Sequence, residues 1–574
     1  MNLVRNNRLL VPLVIAVAAV LITLSLTFTY VNGVLQGNFR HIFLPSKMWG
    51  IPEKVAAHGF DEFFQDDTNQ GWDGQFYFFI ANDPLALADT EQHIDSDAYR
   101  YQRIGLPLLA NLTAKLSGQD WVSPTTYYIT NLGLLFVATF LGAFFFRSRG
   151  INPCWILLWT LGMGTQVTQL HGLPDGAADA LLIIALICLV NGRTVLYGVA
   201  ATFAVLTREI YMLVPAAIIL GGGILDARET GLAMQLRPGT LVHRLCKNWF
   251  HVLPLAIFVG WQVFIRYRFQ ISPSKQATNI LDWPFKTSLQ YMLAPLTGMR
   301  PMDDPSVNES LGILLFLAIL LTAAWTLAKL IRGQLKQRHI KAESQMESIT
   351  MGVSIAFLVM SLMYVCFGST VMMDATGYWK ATNVFMFFFP FLAALRRQRL
   401  GLWKAFLSLA AFALFSANLL ARVLASPVAT VAIAYAKTEP ACLKNYSARI
   451  HPLSVEIRRK RWFESFLGQT AQINLNVEVT NTGNETWNPY LGKGGVNVSY
   501  QWINSSNGVI ALDGIRTTLR APLASGQGTQ LPLTVDLPTQ EGQYVLALTL
   551  VQEGCAWFYQ LDPKSRFDIP YTIR

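Results

Sequence analysis

MNLVRNNRLLVPLVIAVAAVLITLSLTFTYV, residues 1–31, places Arg5 and Arg8 before an unbroken apolar run from Leu9 to Val31. A run of this length spans the ~30 Å hydrocarbon core of a bilayer. It is also longer than the roughly 7–15 apolar residues of a signal peptide, and no small-residue cleavage site follows it. The stretch therefore reads as a retained first transmembrane helix, with the arginines setting its start in the cytoplasm.

Further apolar stretches lie at 126–146, 152–170, 176–191, 194–207, 210–226, 249–267, 310–330, 350–369, 379–395 and 402–424, which with the first predict about eleven spans. The composition agrees: of 574 residues 52% are hydrophobic and 14% charged, against about 25% charged in soluble proteins. The net charge of +10 is dispersed among short loops instead of forming one basic face, which makes nucleic acid a poor explanation for it. Alternate loops carry the cations, in groups such as Arg147 and Arg149, Arg193, Arg332 and Lys336, and Arg396, Arg397, Arg399 and Lys404. This is the pattern of cytoplasmic loops. An odd number of spans then puts the first long loop, 32–125, and the C-terminal region on the outer face of a cytoplasmic (inner) membrane. In 176–226 the stretches are short and are interrupted by Thr207-Arg208-Glu209. Broken helices beside polar residues are tolerated at membrane depth where they line a cavity.

Near residue 440 the texture changes to alternating or β-branched segments, 473–480, 496–502, 531–537 and 544–551, separated by turn signals such as Asn481-Thr482-Gly483-Asn484. These predict an outer all-β sandwich over 440–574 attached to a helical membrane domain over 1–430. Cys442 and Cys555 are the only cysteines of the outer region, and an oxidising compartment permits them to pair. No metal-ligand spacing and no glycine-rich phosphate loop occurs, so nucleoside triphosphate chemistry is not indicated. No cofactor is expected and no metal ligands are assigned.

The chemistry-bearing residues concentrate in the first outer loop. Trp72-Asp73-Gly74-Gln75-Phe76-Tyr77-Phe78-Phe79 sets one carboxylate among aromatics, and Tyr99-Arg100-Tyr101-Gln102-Arg103-Ile104 adds two guanidiniums. Asp73 is the candidate base for taking a proton from an acceptor hydroxyl. The structural alternative is a turn residue, because Asp-Gly is a common turn dipeptide, and Asp61, Asp66 and Asp67 compete for the role. Arg100 and Arg103, three apart, would share a helix face and suit phosphate oxygens, or they snorkel to lipid headgroups. Arg208 and Glu209 are ionisable residues between apolar runs, which marks them for function or for pairing with each other. His171, Asp175 and Asp179 lie beyond the third span and could orient sugar hydroxyls or form a polar turn. Lys380 follows Tyr378 and Trp379 at the end of a late span, where an interface belt explains the aromatics. All these positions fall on one predicted face, as a single site requires.

These motifs resemble the GT-C superfamily of membrane glycosyltransferases. The resemblance covers residues 1–425 and is carried by Asp73-Gly74-Gln75-Phe76-Tyr77, by Tyr99 to Ile104 and by Thr207-Arg208-Glu209. It implies many helices, an essential acid in the first outer loop, often an outer soluble domain, and a polyprenyl-phosphate sugar donor. Asp73 takes the place of that acid, with Gln75, Tyr77, Tyr99, Arg100, Arg103, His171, Asp175, Arg208, Glu209 and Lys380 as substrate-binding candidates. Some members carry an Asp-x-Asp or Glu-x-Asp metal pair, and Asp73 has no acidic neighbour at that spacing. The C-terminal region is similar to immunoglobulin-like domains of bacterial glycan-assembly proteins, with Trp487, Trp502 and Trp557 as sugar-stacking or core residues. The expected function is inverting transfer of a sugar from a polyprenyl phosphate to a hydroxyl of a glycan, lipid or protein acceptor in the cell envelope. The rivals are a lipid-linked glycan flippase or transporter, which needs ionisable residues reaching both faces, and an O-antigen-type ligase or polymerase.

Overall fold

A computed structural model describes residues 2–35, 37–64, 70–230, 246, 248–276, 280–293, 306–336, 345–372, 375–424, 441–457, 472–488, 494–506, 508, 510–514, 516–519, 522–538 and 542–573. Asp66, Asp67 and the loop cations Arg237, Arg244, Lys247, Arg338 and Lys341 lie outside them. The chain divides into a helical unit ending at Leu424 and a β unit formed mainly from residue 425 onward.

Among the described residues of the helical unit, six helices are long and apolar enough to cross a membrane: Leu9–Gly33, Pro124–Ser148, Trp249–Phe269, Ser310–Gly333, Met346–Tyr364 and Leu402–Leu420. On the first of these Leu9, Leu13, Val17, Leu21 and Phe28 are exposed. An apolar stripe of that extent has no place in water and suits lipid. The other expected spans take different forms. Thr194–Thr207 and Glu209–Ile224 are shorter apolar helices. Asp175–Val190 is buried almost all round, the condition of a helix enclosed by other helices.

Two stretches expected to cross as single helices are instead broken, and their breaks meet. The segment 152–170 forms a 3-10 turn, Pro153–Ile156, then helices Leu157–Thr160 and Met163–Leu170. The segment 379–395 is divided between Ala375–Thr382 and Val384–Leu395. Breaking a helix frees backbone carbonyls that must find donors. The Asn383 carboxamide, fully buried, donates to Trp159 O at 2.9 Å and Thr165 Oγ1 at 2.7 Å. Gln166 Nε2 reaches Thr160 O at 2.7 Å and Thr23 Oγ1 at 3.0 Å. Glycine allows the approach: a Cβ on Gly164 would stand 2.6 Å from Asn383 Cβ and 3.0 Å from Lys380 Cα. Tight packing across small residues is the usual basis of helix association in membranes.

The long loop after the first helix is itself folded. It carries the turn Phe39–Phe43 and the helices Gly74–Asn82, Asp97–Tyr101 and Gly105–Leu116. Gly74–Asn82 is buried along its whole length, and its Phe78 stacks on Phe43 with ring centroids 4.4 Å apart. At the start of the Gly105 helix a Cβ would meet Thr207 Oγ1 at 2.1 Å and Phe203 O at 2.7 Å. Backbone therefore lies directly on the end of Thr194–Thr207, and this contact carries Arg103 to Glu209.

The β unit packs two antiparallel sheets around one core. Strands β1 (Ala448–Ile457), β2 (Gln472–Asn481) and β6 (Gly528–Asp536) form the first, in the order β1-β2-β6. In the second, β3 (Val496–Asn504) lies between β4 (Ile510–Asp513) and β7 (Gly542–Gln552), with β5 (Thr517–Thr518), β8 (Ala556–Trp557) and β9 (Phe567–Ile573) paired at its margins. Val477, Val479, Trp487, Val498, Tyr500, Trp502, Leu533, Leu548 and Phe558 fill the interior, so Trp487 and Trp502 are core residues. Trp502 Nε1 donates to Asp536 O at 2.7 Å, supplying the partner a buried indole needs. Cys442 and Cys555 form a disulfide, 113 residues apart in sequence.

Gly105→Ala forces the two backbones apart. The expected loss is about 1–3 kcal/mol, the usual range for overpacking, read as a lowered unfolding midpoint in detergent. Gly133→Ala, within the helix Pro124–Ser148 and with nothing within 4 Å of an added Cβ, is the control and should leave the midpoint unchanged or raised.

Candidate functional site

Asp73 stands at the entrance of the Gly74 helix in right-handed helical conformation and makes no capping hydrogen bond. Two glycines thread it into place. A Cβ on Gly71 would stand 2.4 Å from Leu44 O, and one on Gly74 would stand 1.7 Å from His171 O. Between them Trp72 stacks on the His171 ring at 4.0 Å.

With the helix N-terminus unused, the carboxylate turns to Arg100. Nη1 donates to Asp73 Oδ2 at 2.8 Å and Nη2 to Oδ1 at 2.9 Å. The other edge of the same guanidinium engages Asp95, Nε to Oδ1 at 2.8 Å and Nη2 to Oδ2 at 2.7 Å. Arg100 is thus a bidentate partner twice over, which only the planar fork of arginine permits. Its Cζ lies 5.1 Å from the Phe76 ring centroid.

Arg103 points elsewhere. The Asp97–Tyr101 helix ends before it, so the helix face that Arg100 and Arg103 were expected to share does not form. Arg103 Nε donates to Glu209 Oε2 at 3.0 Å, and Nη2 to Glu209 Oε1 at 2.9 Å and Tyr99 OH at 3.0 Å. Glu209 therefore pairs with Arg103 and not with its neighbour Arg208. Arg208 turns inward, with Nε 3.7 Å from Asp175 Oδ1, Nη1 3.9 Å from Asp179 Oδ1 and a hydrogen bond from Nη1 to Ala381 O at 3.1 Å. Trp159 Nε1 and Tyr211 OH also donate to Asp179.

Exposure separates these groups. The side chains of Arg208 and Asp179 are 8% and 2% exposed, whereas that of Asp73 is 43% exposed. Arg208, Asp175 and Asp179 form an enclosed polar core, and Asp73 is the carboxylate open to an entering molecule. Burial alone would raise its pKa, but the Arg100 guanidinium, with Lys380 and Arg103 further off, outweighs that and holds Asp73 below the usual carboxylate range. Lys380 also acts on Asp175, and no carboxylate of a described residue pairs with it.

The remaining candidates divide. Gln75 is fully buried and fastens the loop, accepting from Ser46 N at 3.0 Å and donating to Trp72 O at 3.1 Å. Tyr77 is buried beside Arg100, and no described residue completes a hydrogen bond of normal geometry to its hydroxyl. Burial raises the Tyr77 phenol and pushes Tyr99 up to about 12, so both remain proton donors. His171 faces Tyr30 and Trp72. Asp61 pairs with His41, with 61% of its side chain exposed, well apart from these interactions. Asp95 and Asn383 were not among the expected residues. Asp95 precedes a short helix with no periodic signal, and Asn383 lies within an apolar stretch read as continuous. Among the described residues no group of three or more His, Cys, Asp or Glu side chains is arranged to hold a metal ion.

No family model matches the chain, and no curated protein matches it. Among solved structures, the cryo-EM structure of the arabinosyltransferase EmbB from Mycobacterium smegmatis aligns with 87% of this chain and 63% of that one, at 12% identity and a TM-score of 0.25. The chain spans less than two thirds of that protein, and a superposition this loose says nothing about shared chemistry.

Glu209→Gln should cost about 1–3 kcal/mol, because it weakens a part-buried, charge-assisted pair. A double-mutant cycle with Arg103→Gln, followed by thermal unfolding, should give a coupling energy above 0.5 kcal/mol, the scale of contacting residues. Additive effects would mean that Glu209 supports Arg103 no better than solvent does.

Proposed function

We propose that this protein is a membrane glycosyltransferase that moves a sugar from a polyprenyl phosphate to an acceptor hydroxyl at the outer face of the cytoplasmic membrane, with inversion at the anomeric carbon. The observation that carries the reading is the open Asp73 carboxylate, facing Arg100, with Arg103 and Lys380 also close enough to act on it. An acid beside several cations answers the two needs of the reaction, a proton acceptor and compensation for a departing phosphate. The resemblance of the Asp73, Arg100 and Arg208 motifs to the GT-C superfamily points the same way.

In this mechanism the acceptor oxygen attacks the anomeric carbon while the bond from that carbon to the phosphate oxygen breaks. The hydroxyl proton passes to Asp73, and the electron pair leaves with the lipid phosphate, whose added charge Arg103 and Lys380 compensate. Arg100 occupies one lone-pair direction on each Asp73 oxygen, and a carboxylate offers about four such sites. The base can therefore take a proton without first releasing its partner. A carboxylate held this low is a weak base, so proton transfer follows C–O bond formation, as the attacking oxygen becomes acidic. Arg208, enclosed with Asp175 and Asp179, positions the helices and does not touch substrate.

Asp73→Asn should lower transfer by about 10²–10⁴-fold, the usual contribution of a general base, with the unfolding midpoint close to wild type. The assay is proteoliposomes supplied with one synthetic polyprenyl-phosphoryl sugar at a time and analysed for lipid-linked and acceptor-linked label. Because the native carboxyl sits below the usual value of about 3.9, it stays ionised and activity should hold constant from neutral pH down to about pH 5. Wild-type transfer by Asp73→Asn would remove the assigned base.

A further inference from the structure

Arg100 is the most heavily engaged side chain of the site. Four hydrogen bonds of 2.7 to 2.9 Å leave it toward two carboxylates, and its own side chain is 9% exposed. One positive charge thus answers two negative ones. The two acids are not equivalent. Asp73 takes the terminal Nη1/Nη2 pair and is 43% exposed, while Asp95 takes the Nε/Nη2 edge and is 26% exposed. A guanidinium held only at its terminal nitrogens can swing about its stem. Held at Nε as well, it is fixed in plane and in direction.

We infer that Asp95 acts through Arg100 by dividing its charge, so that Asp73 keeps basicity it would lose against an undivided cation. The inference rests on the reading of Asp73 as the base. Electrostatics fixes the sign: a second carboxylate close to the first disfavours ionisation of both, and a guanidinium favours it. Neutralising Asp95 removes the opposing influence and leaves Arg100 wholly to Asp73, which becomes harder to protonate. Were Asp95 only a loop fastener, its loss would free Arg100 to move and Asp73 would become easier to protonate.

The other groups facing Asp73 are unaltered by such a change. They are Arg103, Lys380, Tyr77 on its own helix, and His171 through Trp72. Charged groups on the elements around the Gly74 helix are engaged elsewhere. Lys54 donates to Asn82 O, Asp89 accepts from Glu53 N and faces His93, and Glu91 pairs with Arg268.

The test reads Asp73 without any substrate. A water-soluble carbodiimide with an amine nucleophile modifies protonated carboxyls, so at fixed pH 5 the labelling rate of an accessible carboxyl follows its protonated fraction. Full-length protein in detergent is labelled, digested, and followed at the Asp73 peptide by mass spectrometry. Asp95→Asn and Asp95→Ser should each slow Asp73 labelling by about 3-fold to 10-fold, as expected for loss of a nearby like charge. Asp95→Glu should stay near the wild-type rate, and Arg100→Gln should label faster. Two neutral variants, each screened for a wild-type-like unfolding profile, guard against failure of one to fold. Unchanged or faster labelling in a folded neutral variant overturns the inference. Since no transfer is measured, that result would leave the assignment of the base untouched, and a failed Asp73→Asn assay would leave the shared guanidinium intact.

Discussion

An arginine shared by two carboxylates is the constraint around which the site is organised. The chain must bring Asp73 from the start of one short helix, Asp95 from the loop before the next, and Arg100 from within it, to within hydrogen-bonding distance. Each charge would be costly to bury alone, and Arg100 pairs with both carboxylates. The glycines at 71, 74 and 105 follow from this demand, because the loop folds on itself at Leu44 and reaches the bundle at His171 and Phe203 by laying backbone against backbone. Residues that look like linkers between functional groups are what hold the groups at the correct distance.

Depth orders the polar residues. Near the open end, the Asp73 and Glu209 carboxylates retain substantial exposure. Deeper, Arg208 is surrounded by Asp175, Asp179, the Ala381 carbonyl and the Tyr211 ring. Ionic groups in such enclosed sites hold only with their partners in place, because removing one leaves a buried charge uncompensated. Here they determine how the Asp175 helix, the Thr207–Glu209 break and the Ala375 helix meet. Asn383 does the same with neutral chemistry, binding two helix breaks at a single carboxamide.

Much of this was legible in the residues. Apolar length and the cation-rich loops indicated a helical membrane unit, and alternation with turn residues indicated the β region, including strands β2, β3, β6 and β7 to within three residues at each end. The motif around Asp73 also pointed to the more open of the two carboxylates that share Arg100. What could not be read has a physical reason in each case. Hydropathy measures apolar content and is blind to helix continuity, so the breaks at Gly162 and Asn383 were concealed in stretches of suitable length. Pairing is three-dimensional: adjacency suggested Arg208 with Glu209, whereas the extended backbone at Arg208 directs the two side chains to different partners. Spacing placed Arg100 and Arg103 on one face, but a helix that ends at Tyr101 has no such face to offer.

The disulfide of the β unit has a mechanical meaning. Cys442 lies just before β1, and Cys555 lies in the turn between β7 and β8. Leu443 N and Tyr446 OH also bond to Gln552 on β7. Tension applied to the chain at residue 441 therefore enters the six-stranded sheet through a covalent bond and bypasses the β1–β2 ladder, which would otherwise unzip one hydrogen bond at a time. The first strand is shielded from load, and the sandwich can be tugged from its root without losing its edge.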